Sequence, residues 1–73
     1  MSKVYKKITL VGTSSEGIGP AVKAAIKRAS ETLRHLDWFE IKEVRGRIEN
    51  GDVAEFQVVL EVGFRLEGDE PAD

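Results

Sequence analysis

Apolar and polar residues alternate with a period of two over three stretches of this chain and recur at helical spacing over one. From Val4 to Val11, Val4, Lys6, Ile8 and Leu10 alternate against Tyr5, Lys7, Thr9 and Val11, which predicts a first strand. Gly12-Thr13-Ser14-Ser15-Glu16-Gly17 interrupts the pattern and reads as a loop. Ile18, Val22, Ala25, Ala29, Leu33 and Leu36 then repeat every three or four residues, which predicts a helix from Ile18 to His35. Gly17 or Gly19 serves as its N-cap, and Pro20 is tolerated because it falls in the first turn. Arg34 and His35 suit the negative end of the helix dipole.

Alternation returns from Trp38 to Ile48 for a second strand. Asn50-Gly51 follows, the strongest short signal for a type I′ hairpin turn. The third strand, Val53 to Glu67, alternates most cleanly: Phe56, Val58, Leu60, Val62, Phe64 and Leu66 face one way. The remaining residues, 68–73, are acidic and poor in apolar groups, and read as a frayed tail. The chain is therefore one domain, residues 1–73, of the α+β class with the order β-α-β-β. Setting the third strand between the other two gives an antiparallel sheet of order 1-3-2, packed on one helix.

A two-residue turn fixes a register. It pairs Ile48 with Val53, Ile41 with Leu60, Phe39 with Val62, Glu40 with Glu61, and Trp38 with Gly63. In the same register Arg45 falls on the helix side opposite Phe56, an odd place for a charge. Either the hairpin runs past the helix end or a bulge rotates that segment.

Size changes the picture. Seventy-three residues bury a small core worth only a few kcal/mol, and such chains rely on disulfides, metals or oligomerisation. With no cysteine, one histidine and one methionine, oligomerisation is the remedy left. A net charge of −2 with both signs interspersed argues against a nucleic-acid binder. No apolar run approaches the ~20 residues of a membrane span, and none precedes the first strand as a signal peptide would, so the cytoplasm is the default.

Trp38 shares its face with Glu40 and Lys42, away from Phe39 and Ile41. A large ring on the polar face of a small sheet needs cover, either from another subunit or as a stacking platform for a planar ligand. Gln57 lies on the same face, and its amide is able to pair with an adjacent donor and acceptor on a heterocycle edge; alone it would read as a solvated strand residue. Arg45 and Arg65 are able to meet a phosphate or carboxylate, though pairing with Glu43, Glu61 or Glu67 is the plainer account. Gly12 to Gly19 lacks both the Lys-Ser/Thr of a phosphate loop and the third glycine of a dinucleotide fingerprint. Ser14 and Ser15 stand a helix length, roughly 25 Å, from His35. The facing pair Glu40 and Glu61 reads as surface charge relieved by Lys42. Nothing demands an enzyme.

The block Thr32-Leu33-Arg34-His35-Leu36-Asp37-Trp38-Phe39-Glu40-Ile41, with Arg45-Gly46, Phe56-Gln57-Val58 and Val62-Gly63-Phe64-Arg65-Leu66, resembles the dodecins, a family of small flavin-binding proteins. Gly12-Thr13-Ser14 also fits. Ile18-Gly19-Pro20 departs from the aromatic and acidic helix start frequent in that family. The resemblance implies a protomer assembled into a hollow homododecamer. It implies flavins held in stacked pairs, each between its partner and a tryptophan, here Trp38. Gln57 would read the pyrimidine edge of the ring, and Arg45 and Arg65 would meet the phosphate of FMN, which favours FMN over riboflavin. The implied role is flavin storage and buffering, with quenching of flavin photochemistry and no turnover. Coenzyme A is implied as a secondary ligand. The alternative is a structural oligomer in which Trp38 is a subunit contact and the ligand, if any, is another nucleotide-like molecule such as coenzyme A.

Overall fold

The computed structural model describes residues 2–66. Four elements follow in the order expected: β1 (Tyr5–Ser14), α1 (Ile18–Ala29), β2 (Leu36–Glu49) and β3 (Asp52–Arg65). The sheet order is β1-β3-β2, and both pairings are antiparallel. The expected fraying of residues 68–73 and the extension of β3 to Glu67 lie outside the described residues.

Asn50 and Gly51 have φ of 54° and 75°, the two left-handed positions a type I′ turn requires. The turn sets the expected pairs Ile48–Val53, Ile41–Leu60, Phe39–Val62, Glu40–Glu61 and Trp38–Gly63. Between the first two of these pairs the register shifts twice, skipping Ala54 on β3 and Lys42 on β2. One insertion on each strand cancels the other, so the ends match and the middle is rotated. Arg45 consequently sits opposite Gln57, on the outer face, and not opposite Phe56 as a regular ladder would place it.

Helix α1 ends at Ala29, six residues short of the expected His35. The Ser30 hydroxyl donates to the Lys27 carbonyl at 2.7 Å, competing with the backbone ladder as serine does. The last turn then tightens through Glu31 N–H to Arg28 O and Thr32 N–H to Ala29 O. His35 adopts φ 64°, turning the chain into β2, and its carbonyl accepts from the Arg65 N–H at 3.1 Å. The cations facing the helix dipole are therefore Lys27 and Arg28, not Arg34 and His35.

Strand β1 runs three residues beyond Val11, so Gly12 is a strand residue and not part of a loop. It is buried where the helix crosses it: a Cβ there would overlap the Ala21 carbonyl oxygen and lie 3.0 Å from Ala25 Cβ. The close approach seats α1 over β1 and β3, with Ala21 and Val22 on Val58, Leu60 and Val62, flanked by Ile8, Leu10, Ala25, Ile26 and Leu36. The helix does not cover β2. Phe39 and Ile41 face the helix side as expected but stay 48% and 46% exposed, lining an open groove of about 680 Å³ against Ile18, Val22 and Ile26. The described core is therefore small, and a wide apolar surface beside it stays bare.

Candidate functional site

The face of the sheet turned away from α1 carries the chemistry. Along β2 it displays Trp38, Glu40, Glu43, Arg45 and Arg47; along β3, Arg65, Gly63, Glu61, Gln57 and Glu55; along β1, Tyr5 and Lys7. The bulge at Lys42 brings Arg45 and Arg47 onto this face, because it exchanges odd and even positions midway along β2.

Trp38 sits directly opposite Gly63, and its ring lies on that glycine. A Cβ at Gly63 would stand 2.5 Å from Trp38 Cε2 and 2.6 Å from Cη2, well inside contact distance. Beyond the glycine the indole meets Tyr5 of β1, with ring centroids 5.1 Å apart and planes tilted by 60°. Its N–H donates to Glu40 Oε2 at 3.1 Å. The indole is still 38% exposed, so one side rests on the sheet and the other is open.

Glu40 and Glu61 face each other across β2 and β3, and Lys7 relieves the repulsion, not primarily Lys42. Lys7 Nζ stands 3.2 Å from Glu40 and 3.0 Å from Glu61, whereas Lys42 is 3.6 Å from Glu40. Hydrogen bonds to Glu61 and then Glu40 hold the Lys7 ammonium above its ordinary range. The Trp38 N–H, followed by Lys7, holds the Glu40 carboxyl below the usual carboxylate range.

Gln57 is half-buried and doubly engaged. Arg45 Nε donates to its Oε1 at 2.9 Å, and its Nε2 donates to Glu55 Oε2 at 2.9 Å. These two contacts fix which end of the amide is oxygen, leaving a lone pair and an N–H free in a set order. Arg45 also lies 3.6 Å from Glu43, and Arg47 3.9 Å from Glu55. At the other end of β3, the Arg65 guanidinium is 3.3 Å from His35 Nδ1.

All four residues singled out from the sequence share this face, but they fall into two pairs. Trp38 and Arg65 flank Gly63, while Arg45 and Gln57 lie together six residues further along β3. At about 3.4 Å per residue that separation is roughly 20 Å, more than one planar heterocycle spans. Along the backbone the two pairs thus stand further apart than one planar heterocycle is long. Tyr5 and Lys7 were not foreseen as part of the surround of Trp38. The β1–β3 pairing that places them there has no connecting turn to set its register.

A family model described as Dodecin matches residues 4–67. The chain belongs to the dodecin family. The dodecin of Thermus thermophilus is 67% identical over 67 residues, covering 92% of this chain and 97% of that one. Structures of T. thermophilus dodecin carrying the substitutions R45A, R65A or W38F are each 64% identical to this chain, with a TM-score of 0.89 over 92% of it and 98–100% of theirs. The dodecin of Streptomyces coelicolor is 54% identical, with a TM-score of 0.89 over 92% of this chain and 96% of its own. The β-α-β-β topology and the 1-3-2 sheet are thus those of solved dodecins. No described helix is long and apolar enough to cross a membrane, and no cluster of metal-ligating side chains occurs among the described residues.

Proposed function

We propose that this chain binds flavin, FMN in preference to riboflavin, in a cytoplasmic homododecamer that stores the cofactor and quenches its photochemistry without turning over a substrate. One observation carries the reading: an indole laid over a glycine on the outer face of the sheet, pinned at its edge and open on its other side. Such a ring is a platform for a flat, electron-poor molecule. The fixed amide of Gln57 offers an acceptor beside a donor, which matches the imide edge of an isoalloxazine. The substitutions W38F, R45A and R65A in the T. thermophilus structures fall on residue types and numbers that this chain shares.

The roughly 20 Å of strand between the two residue pairs supports a site shared between copies. A flavin stacked on Trp38 of one copy takes its pyrimidine contacts from Gln57 of another, with Arg65 and Arg45 on either side to meet the phosphate. Arg45 keeps donors to spare for that contact, since a guanidinium has five N–H groups. A ring covered on both faces offers a substrate no approach for hydride transfer, hence binding without catalysis. The bare groove between α1 and β2 supports association of copies. Nothing among the described residues singles out coenzyme A.

The test is a titration of the purified protein with FMN, read by flavin fluorescence, beside native mass spectrometry. Stoichiometric binding with strong quenching, abolished in Trp38→Ala, supports the proposal. Mixed assemblies of Trp38→Ala and Gln57→Ala subunits should regain a fraction of the sites, because each copy lacks only one half. An assembled Trp38→Ala protein that binds and quenches like the parent would overturn it.

A further inference from the structure

Glu40 stands where three side chains from three strands converge. It accepts from the Trp38 N–H at 3.1 Å, lies 3.2 Å from Lys7 of β1, and faces Glu61 of β3. Lys7 also holds Glu61 at 3.0 Å. Exposed ion pairs of this kind add little to stability, so their convergence here is poorly explained as a brace for the sheet. Its consequence for Trp38 is larger. With glycine beneath it, the indole has no side chain at Gly63 to wedge against, and van der Waals contact alone would let it slide and turn on the strand. A hydrogen bond at the ring edge removes that freedom, because it fixes the direction of the N–H while contact with the strand at Gly63 and with Tyr5 holds the plane. Lys7 keeps the accepting carboxylate in place and, by drawing in Glu61, prevents the facing charge from pushing it away.

We infer that Glu40 is a positioning residue for the Trp38 platform, held in turn by Lys7, so that the stacking surface is set before any ligand arrives. The carboxylate at the N–H edge also enriches the indole in electron density, which suits an electron-poor stacking partner. The effect on flavin binding rests on the proposed function, but the positioning itself does not.

Trp38 is the only tryptophan of the chain, so its near-ultraviolet circular dichroism and fluorescence anisotropy report this ring with no ligand present. Glu40→Leu keeps the size but offers no acceptor, whereas Glu40→Gln keeps an accepting oxygen. Both are compared with the parent as assemblies of confirmed mass, with Trp38→Phe as the spectral blank. Glu40→Leu is expected to flatten the tryptophan dichroism band and lower the anisotropy, and Glu40→Gln to retain most of both. With FMN added, Glu40→Leu should bind about tenfold more weakly, the order of a lost charge-assisted hydrogen bond. Indistinguishable spectra for Glu40→Leu and the parent overturn the inference, as does an equal loss in Glu40→Gln and Glu40→Leu. Should Glu40→Leu fail to assemble, Lys7→Met carries the same test: a loosened indole supports the inference and an unchanged one overturns it. If the parent itself binds no FMN, the flavin reading fails, while the ligand-free spectra still decide the role of Glu40.

Discussion

Replacing Gly63 by alanine tests the placement of Trp38 directly. The new methyl group would stand 2.5 Å from Trp38 Cε2 and 2.6 Å from Cη2, against an ordinary carbon–carbon contact of about 3.5–4.0 Å. The ring must therefore move by about 1 Å or swing off the strand. The backbone raises no objection, because Gly63 is not among the residues with positive φ. Alanine in a strand is about 0.5–1 kcal/mol better than glycine, and overpacking costs about 1–3 kcal/mol, so the net loss is roughly 1 kcal/mol. The fold survives and the platform does not. Thermal melting should show a modest drop, near-ultraviolet dichroism a changed tryptophan band, and FMN titration at least a tenfold loss of affinity with weaker quenching, since both the stacking geometry and the Glu40 hydrogen bond are disturbed. A Gly63→Ala protein that melts higher and keeps the parent's tryptophan band and FMN affinity would refute the reasoning, because it would mean that the indole does not rest on this glycine.

Other substitutions probe other links. Gly12→Ala drives a methyl group into the Ala21 carbonyl of the helix, a backbone atom that cannot turn aside, and should cost about 1–3 kcal/mol in a denaturant melt. The Glu40 carboxyl is depressed below its ordinary 4.5, so it contributes stability above that pH that disappears as pH falls through its lower folded value; Glu40→Gln should flatten this acid limb of a melting-temperature profile. Lys7 is raised above 10.5, so its contribution is complete below that pH and lost only as pH climbs through the higher folded value; Lys7→Met should remove that alkaline limb. Ile41→Glu places a charge on the bare apolar face beside α1, and native mass spectrometry should then find dissociated protomers where the parent assembles.

Much of the protomer was legible in residue order, because neighbours along the chain encode it. Alternation marked three strands, Asn50-Gly51 specified a type I′ turn, and the register that turn implies holds at Ile48 and, because two bulges cancel, again from Ile41 to Trp38. The bulges left a trace that a strict period of two passes over: apolar residues three apart, Ile41 to Val44 and Val53 to Phe56, where two apart was expected. Reading that trace would have put Arg45 beside Gln57 from the start. The early stop of α1 was less visible, since Leu33 and Leu36 continue the helical spacing while Ser30 and the left-handed His35 end the helix.

What residue order determined by itself was local: which segments pair by a turn, which face each residue takes outside the bulged middle of the hairpin, and that Trp38 meets Gly63. The surround of that ring belongs to the tertiary structure alone. Tyr5 and Lys7 reach it from a strand joined to the sheet through a helix, and packing against α1, with Gly12 admitting the Ala21 backbone, sets that register. The same packing leaves β2 uncovered. The spacing of Gln57 from Gly63 is six residues of one strand and so already stands in the residue order; what that order does not record is which strand reaches Trp38 from the far side of β3, because that pairing is made through packing and not through a turn.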